Sequence, residues 1–316
     1  MRIIRDIEFV AKADRGASAA IGNFDGVHLG HQSVLDLARQ AGARIGAPLG
    51  VMTFEPHPRE FFAPDAPPFR LMNAEAKANR MEKLGVQRLY EVVFNQALAN
   101  LTAEAFAAKV IHDGLGLAHV VVGADFCFGK GRSGTADDLV RFGQGMGFGV
   151  TVAEIVEGRT GEVSSTNIRK ALSEGRPGDA ASMLGHWHRI DGKVIRGFQR
   201  GRELGYPTAN MSIAGLHQPK FGVYAVKVDV LSGPNAGQYD GAASIGVRPM
   251  FDGDIPNIET YLFDFSGDLY GAHMSVALVE YLRPEAKFDG LDALIAQMDA
   301  DCARAREILS KVPARL

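Results

Sequence analysis

A chain of 316 residues is about twice the usual domain length, which excludes a single small module and leaves room for two cores. Its 46% hydrophobic and 22% charged residues, with a mean hydropathy of -0.03, exclude a disordered tail and a membrane bundle. With 34 Lys+Arg against 37 Asp+Glu and a formal net charge of -3 there is no global basic field to hold nucleic-acid phosphates, and the two cysteines, Cys127 and Cys302, build neither a disulfide framework nor a thiolate zinc site, which fits a reducing cytoplasm.

The amino-terminal stretch MRIIRDIEFVAKADRG breaks its apolar residues with Arg5, Asp6 and Glu8, so no export signal is expected, and no apolar run approaches membrane-spanning length. Residues 18–22 read as a buried strand, and from Gln32 onward Val34, Leu35, Leu37, Ala38 and Ala41 share a helical face. Residues 50–54, 89–94, 119–123 and 150–155 read as further strands, with helical stretches at 74–84, 103–111 and 137–142 between them. This alternation predicts an α/β domain over residues 1–185, a parallel sheet covered by helices on both faces.

Past Gly185 the period becomes two: over residues 222–230, Tyr224, Val226, Val228 and Val230 share a face while Lys227 and Asp229 point away. Similar strands at 189–196, 241–247, 258–264 and 275–282, separated by Gly, Pro, Asn and Asp clusters, predict a small antiparallel β-barrel over residues 186–316. In the last segment Leu291, Leu294, Ile295, Met298, Cys302, Ala305, Ile308, Leu309 and Val312 recur at helical spacing, so a long terminal helix is expected to pack against the barrel.

Chemistry concentrates first in IGNFDGVHLGH, where His28 and His31 stand at the turn from a buried strand into a helix. Backbone N–H groups and the positive end of the helix dipole make such a turn an anion site, and two imidazoles at this spacing both reach one bound phosphate. A pair of solvated loop histidines would leave the same spacing, whereas zinc lacks a nearby third ligand. In SSTNIRKAL (164–172), Ser164 or Ser165 reads as a helix N-cap, and Arg169, placed by the sequence in the first turn, is a cation that calls for an anion nearby. Two decoys fall in VVVGADFCFGKGRSG. GKGRSG (129–134) matches G-x-G-x-x-G, with Glu154 downstream, but Ala124 to Phe128 separate it from the strand, where the dinucleotide fingerprint needs its glycines at once. Residues 123–130 imitate a P-loop with too long a gap, and Gly131 stands where a magnesium-binding Ser or Thr belongs.

The second concentration is GFQRGRELGYPTANM (197–211). Thr208 and Asn210, two apart on an extended segment, face the same side and offer two oxygen ligands to a hard cation such as Mg²⁺, and the preceding glycines let backbone approach phosphates; a turn with capping side chains is the alternative. Glu259 sits in a strand, where a catalytic carboxylate and a solvated one look alike.

The order of motifs separates these alternatives. IGNFDGVHLGH, TFEPHP (53–58), VVVGADFCFGKGRSG and SSTNIRKAL, followed by GRELGYPTAN, FGVYAV, ASIGVRPMF, IETYLFDFSGDLYG and YLRPEAKF, resemble the prokaryotic bifunctional riboflavin kinase/FAD synthetase family over nearly the whole chain. The resemblance implies a Rossmann-like nucleotidylyltransferase domain followed by a riboflavin kinase barrel. It implies ATP contacts at Gly22, Phe24, Asp25, His28, His31, Asp125, Ser165, Thr166 and Arg169 in the first, and at Gly201, Thr208 and Asn210 in the second. It further implies Mg²⁺ at Thr208 and Asn210, and Glu259 as the base that activates the ribityl hydroxyl, with ATP as co-substrate and riboflavin, FMN and FAD as substrates and products. Phe61, Phe62, Tyr224 and Arg283 are candidates for holding the flavin, core packing being the other use of each aromatic. Two departures stand out: Pro249-Met250-Phe251 where the family reads Pro-Thr-Phe, which removes a hydroxyl, and LGHWH (184–188) where it more often reads Arg-Pro-Tyr, for which the sequence offers no chemical meaning. A different H-x-G-H nucleotidylyltransferase would form no flavin product, and a flavin-binding sensor would bind flavin without consuming ATP. No nucleic-acid or membrane partner is expected, and homo-oligomers are compatible with everything above.

Overall fold

The computed structural model describes residues 1–154, 157–158, 161–197, 204–250 and 253–313. They form two compact units, Met1–Pro67 with Lys77–Glu162, and Pro68–Ala76 with Val163–Leu316.

The first unit is built on strands β1 (Arg2–Ile4), β2 (Ser18–Ile21), β3 (Leu49–Glu55), β4 (Arg88–Val93), β5 (His119–Gly123) and β6 (Gly149–Ala153). They lie in the order β1-β4-β3-β2-β5-β6, every neighbouring pair parallel. The central strands are continuous apolar runs because helices cover both faces of a parallel sheet, and β2 is buried at every residue. On one side Met52, Tyr90 and Val120 pack with Phe106, Ile111, Leu115 and Leu139. From β2 the chain steps outward through β3 and β4, then returns to lay β5 and β6 on the other side. Neighbours β2 and β5 therefore flank the switch point, where open α/β sheets leave a crevice at their carboxyl ends.

After a short hairpin of β7 (Glu157–Gly158) and β8 (Gly161–Glu162), the second unit carries helices Ser165–Ser173 and Pro177–Leu184, which share a core of Leu71, Ile168, Leu172, Met183 and Leu184. Strands β9 (His188–Lys193), β10 (Ala209–Ser212), β11 (Gly222–Val230), β12 (Gly237–Met250), β13 (Gly253–Leu262) and β14 (His273–Arg283) follow. All pairs are antiparallel in the order β10-β13-β12-β11-β14-β9, and a bridge between Ile195 and Asn210 brings the two edges together into a nearly closed barrel. Met211, Tyr224, Val226, Val228, Ile245, Ile258, Val276 and Leu278 fill it. Helix Leu291–Leu309 lies outside and sets Ala305 and Leu309 on Ala225, Ala242, Phe263 and Val279, as its apolar stripe predicts. Among the described residues no helix is long and apolar enough to cross a membrane.

Candidate functional site

In the first unit the chain turns sharply between β2 and helix Leu29–Ile45. Phe24 and Val27 take positive φ angles of 51° and 46°, unusual for side chains of this size, and both are buried. The turn delivers His28 as the helix N-cap: its Nδ1 accepts a hydrogen bond from the His31 backbone N–H at 3.2 Å, so a neutral His28 carries its proton on Nε2. The two imidazoles stack at 3.6 Å between centroids and 15° between planes, and Phe24 leans on His31 at 5.1 Å. Burial holds the His31 pKa well below its ordinary value of 6.5, helped by the nearby charges of His28 and Lys77. His31 Nδ1 is buried with no hydrogen-bond partner among the described residues. Gly22, Phe24, Asp25, His28 and His31 thus occupy one continuous turn at the carboxyl end of β2, and Asp125 lies exposed just past the carboxyl end of β5, across the switch point.

Lys77, which the sequence reading passed over, is a fully buried cation at 2% exposure on helix Ala74–Lys83. Its Nζ donates to Thr53 Oγ1 at 3.1 Å and to Glu55 Oε1 at 2.9 Å. Its position four residues before the buried Met81 puts it on the helix's inner face, the one signal the sequence offers. The rest of TFEPHP is structural as well. His57 caps helix Pro58–Phe62 by accepting from Arg59 N–H, while Glu60 accepts from His57 N–H. This helix presents Phe61 and Phe62 beside Phe94, with ring centroids 5.2–5.7 Å apart, and leaves Phe62 68% exposed.

GKGRSG is a closed loop. Phe128 and Gly134 exchange two backbone hydrogen bonds across it, at 3.0 and 2.9 Å. Gly129, at φ 73°, presses so close to Ala103 that a Cβ would meet its backbone nitrogen at 2.6 Å. The glycines serve this tight turn.

Ser165, Thr166 and Arg169 ride in the second unit, on helix Ser165–Ser173. Ser164 is the N-cap, accepting from Asn167 N–H at 3.3 Å. Arg169 lies beyond the first turn in which the sequence reading put it. Its Nε donates to the Phe69 carbonyl at 2.6 Å and its guanidinium stands 5.3 Å from the Phe69 ring, so it has structural partners besides any anion.

The barrel brings Thr208, Asn210 and Glu259 together. In the β10–β13 ladder Asn210 is opposite Glu259, while the adjacent pairs Ala209–Thr260 and Met211–Ile258 are buried toward the interior, so the first pair shares the outer face. Thr208 Oγ1 donates to Glu259 Oε2 at 3.3 Å, and Asn210 Nδ2 donates to the Thr208 carbonyl at 3.2 Å. A hydroxyl, a carboxamide and a carboxylate in one hydrogen-bonded group form a hard-oxygen donor set that suits Mg²⁺, which takes few protein ligands and keeps phosphates and waters for the remainder. Tyr206 stacks edge-on to Tyr261 at 5.1 Å, and its hydroxyl bonds Asp299 of the terminal helix, anchoring the segment that leads into Thr208. Gly201 and Phe251 lie outside the described residues.

Two flavin candidates have structural employment. Tyr224 is 1% exposed inside the barrel, so core packing is its use. Arg283 forks onto Asp301 at 2.7–3.0 Å and ties β14 to the terminal helix. The unexplained LGHWH also resolves into packing: Trp187 joins the core under the terminal helix, and His188, 4% exposed in β9, has its pKa lowered to about 3 by burial and by His186 and His217.

Comparison with known proteins places these sites in context. The family model for FAD synthetase matches residues 10–167, and that for riboflavin kinase matches residues 184–309. The bifunctional riboflavin kinase/FMN adenylyltransferase of Pseudomonas fluorescens is 41% identical, covering 98% of each chain, and that of Escherichia coli is 38% identical over 97% of each. Among solved structures, a Streptococcus pneumoniae protein described as a macrolide-efflux protein superposes with a TM-score of 0.82 at 30% identity, covering 99% of both chains.

Proposed function

The chain belongs to the family of bifunctional riboflavin kinase/FMN adenylyltransferases, and from that premise we propose that it makes FMN from riboflavin in the barrel and FAD from FMN at the switch point of the parallel sheet. Residues 186–316 carry the first reaction and residues 1–185 the second, a division supported by the separate family matches at 184–309 and 10–167. Compactness divides the chain differently, since helix Ser165–Ser173 belongs to the barrel's unit. The reading assigns both reactions to the cytoplasm, where ATP is available.

In the kinase reaction Glu259 accepts the proton of the riboflavin 5′-hydroxyl as that oxygen attacks the γ-phosphorus of ATP, and ADP leaves. Thr208 and Asn210 hold Mg²⁺, which when bound offsets the charge on the phosphate oxygens. The hydrogen bond from Thr208 to Glu259 keeps that carboxylate beside the metal's donors, and the C-terminal helix steadies the segment through Tyr206. The meeting of these three side chains, from segments about fifty residues apart in sequence, is the observation that carries the kinase reading.

In the adenylyl transfer a phosphate oxygen of FMN attacks the α-phosphorus of a second ATP and pyrophosphate leaves. The nucleophile is already an anion near neutral pH, so no general base is required. His28 and His31 serve as hydrogen-bond donors to phosphate oxygens at the helix amino terminus. Gly22, Phe24, Asp25 and Asp125 line the same nucleotide site, and the exposed ring of Phe62, supported by Phe61 and Phe94, offers a stacking face for the isoalloxazine. Nothing in either residue set gives efflux of a macrolide a chemical basis. The test is stoichiometry: with FMN, ATP and Mg²⁺ the protein releases one pyrophosphate per FAD. Release of phosphate alone, or none, overturns the adenylyl-transfer half.

A further inference from the structure

Beneath the proposed adenylyl-transfer site lies a cation that neither reaction above uses. Lys77 is among the largest fully buried side chains of the protein, and a buried lysine persists only where its charge is paired and its donors are satisfied. Its ammonium has donors only, so the Thr53 hydroxyl must accept from it at 3.1 Å and turn its own proton elsewhere. That proton goes to the backbone carbonyl of Asn23, 3.2 Å away, within the turn that carries His28 and His31. The second partner, Glu55 at 2.9 Å, ends β3. One side chain therefore links helix Ala74–Lys83, the carboxyl end of β3 and the histidine turn in a directional relay.

We propose that Lys77 is a positioning residue for adenylyl transfer: it pins the turn at Asn23 through Thr53 and sets a fixed positive charge beside the stacked imidazoles of His28 and His31. The inference rests on the reading that this turn receives the phosphates of ATP. The turn holds two buried residues, Phe24 and Val27, in left-handed backbone conformations, so it needs an outside constraint to keep that shape. The charge acts in the same direction as burial, which already opposes protonation of His31. Among the described residues, the charged groups that act on His31 include His28 in the same stack and Lys77 from its helix, with Glu55 of β3 bound to Lys77 and Asp25 on the same turn.

The experiment compares Lys77→Met, which keeps the stem and removes the ammonium, with Lys77→Arg, which keeps charge and donors, in the full-length protein. Lys77→Met is expected to lower kcat/KM for FAD formation from FMN on the order of 10- to 100-fold, the range seen when a residue that orients direct contacts is lost. It should also move the acid limb of the FAD-formation pH profile upward. Both effects of the substitution, loss of a cation and release of the Glu55 carboxylate, favour a proton on His31. Lys77→Arg should recover most of the rate and the wild-type acid limb. Phosphorylation of riboflavin to FMN should match wild type in both variants. The inference is overturned if Lys77→Met forms FAD at the wild-type rate, or if its rate falls while the acid limb stays in place and only the melting temperature drops, the signature of a structural residue. It is equally overturned if Lys77→Arg is no better than Lys77→Met. A wild-type protein that forms no FAD from FMN defeats the site reading itself, a result distinct from any of these.

Discussion

Because burial opposes charge on His31, the proposed adenylyl transfer has it meet phosphate as a neutral hydrogen-bond donor rather than as a cation. Its value lies in direction, so replacing it should harm adenylyl transfer alone. His31→Gln is expected to reduce FAD formation from FMN by about 10²- to 10³-fold, as loss of a preorganised donor to a developing oxyanion does, while riboflavin is still phosphorylated. Glu259→Gln should do the converse, cutting FMN formation by about 10²- to 10⁴-fold with FAD formation from supplied FMN intact. Product-resolved chromatography of both variants on both substrates checks the crossing, and loss of both activities in either variant contradicts the assignment. At this scale the sequence was legible where a residue's type already implies its chemistry. Thr208 and Asn210 stand out by type and spacing, whereas Glu259 is singled out only by the family resemblance, and the hydrogen bonds that join the three have no sequence signal. Lys77 escaped notice because lysine is ordinarily a surface residue, and its burial depends on partners in β3 that no local pattern reveals.

Elements with a strong period were readable nearly to their ends: β5 at residues 119–123 and β11 at 222–230 stand where alternation and apolar runs put them. The misses have physical causes. Strand β1 is three residues long, exposed at two of them, and exists because β4 offers it an edge. The helix expected at 103–111 is a short α-helical turn that widens into π geometry over Ala107–Leu115, where Arg15 donates to the carbonyls of Asp113 and Gly114. Helix Pro58–Phe62 is too short for any period to show. Two predictions belong to elements. The terminal helix is clamped to β14 by Asp301, whose side chain is 9% exposed and fully engaged by Arg283 and Gln297. Asp301→Ala leaves the half-buried Arg283 guanidinium without its carboxylate and should cost about 2 kcal/mol, read as a lower urea midpoint. In β9, His188 has a folded pKa of about 3 against 6.5 unfolded, so the unfolded chain takes up the proton first as pH falls. The stability this histidine contributes is complete above about pH 6.5 and is lost progressively toward pH 3. His188→Leu should therefore flatten the decline of the urea midpoint between pH 7 and pH 4.5, and an unchanged slope would contradict the buried neutral imidazole.

For the whole molecule, the division into an α/β half and a barrel half followed from the change of hydrophobic period near Gly185. What that period could not express is that Pro68–Ala76 and helix Ser165–Ser173 join the barrel's compact unit, because long-range packing on Leu71 and Leu172 decides it. The two proposed sites lie in elements of different units and use different chemistry, one a carboxylate with hard-oxygen ligands, the other imidazoles at a helix terminus. The molecule as a whole should therefore act as two catalysts in sequence, the product of the barrel being the substrate of the sheet. The measurement that tests this most directly is a time course of the purified protein with riboflavin, ATP and Mg²⁺, with flavins separated at each point. The account predicts that FMN accumulates first and FAD follows from it. FAD formed with no detectable FMN precursor, or no flavin product at all, would contradict it.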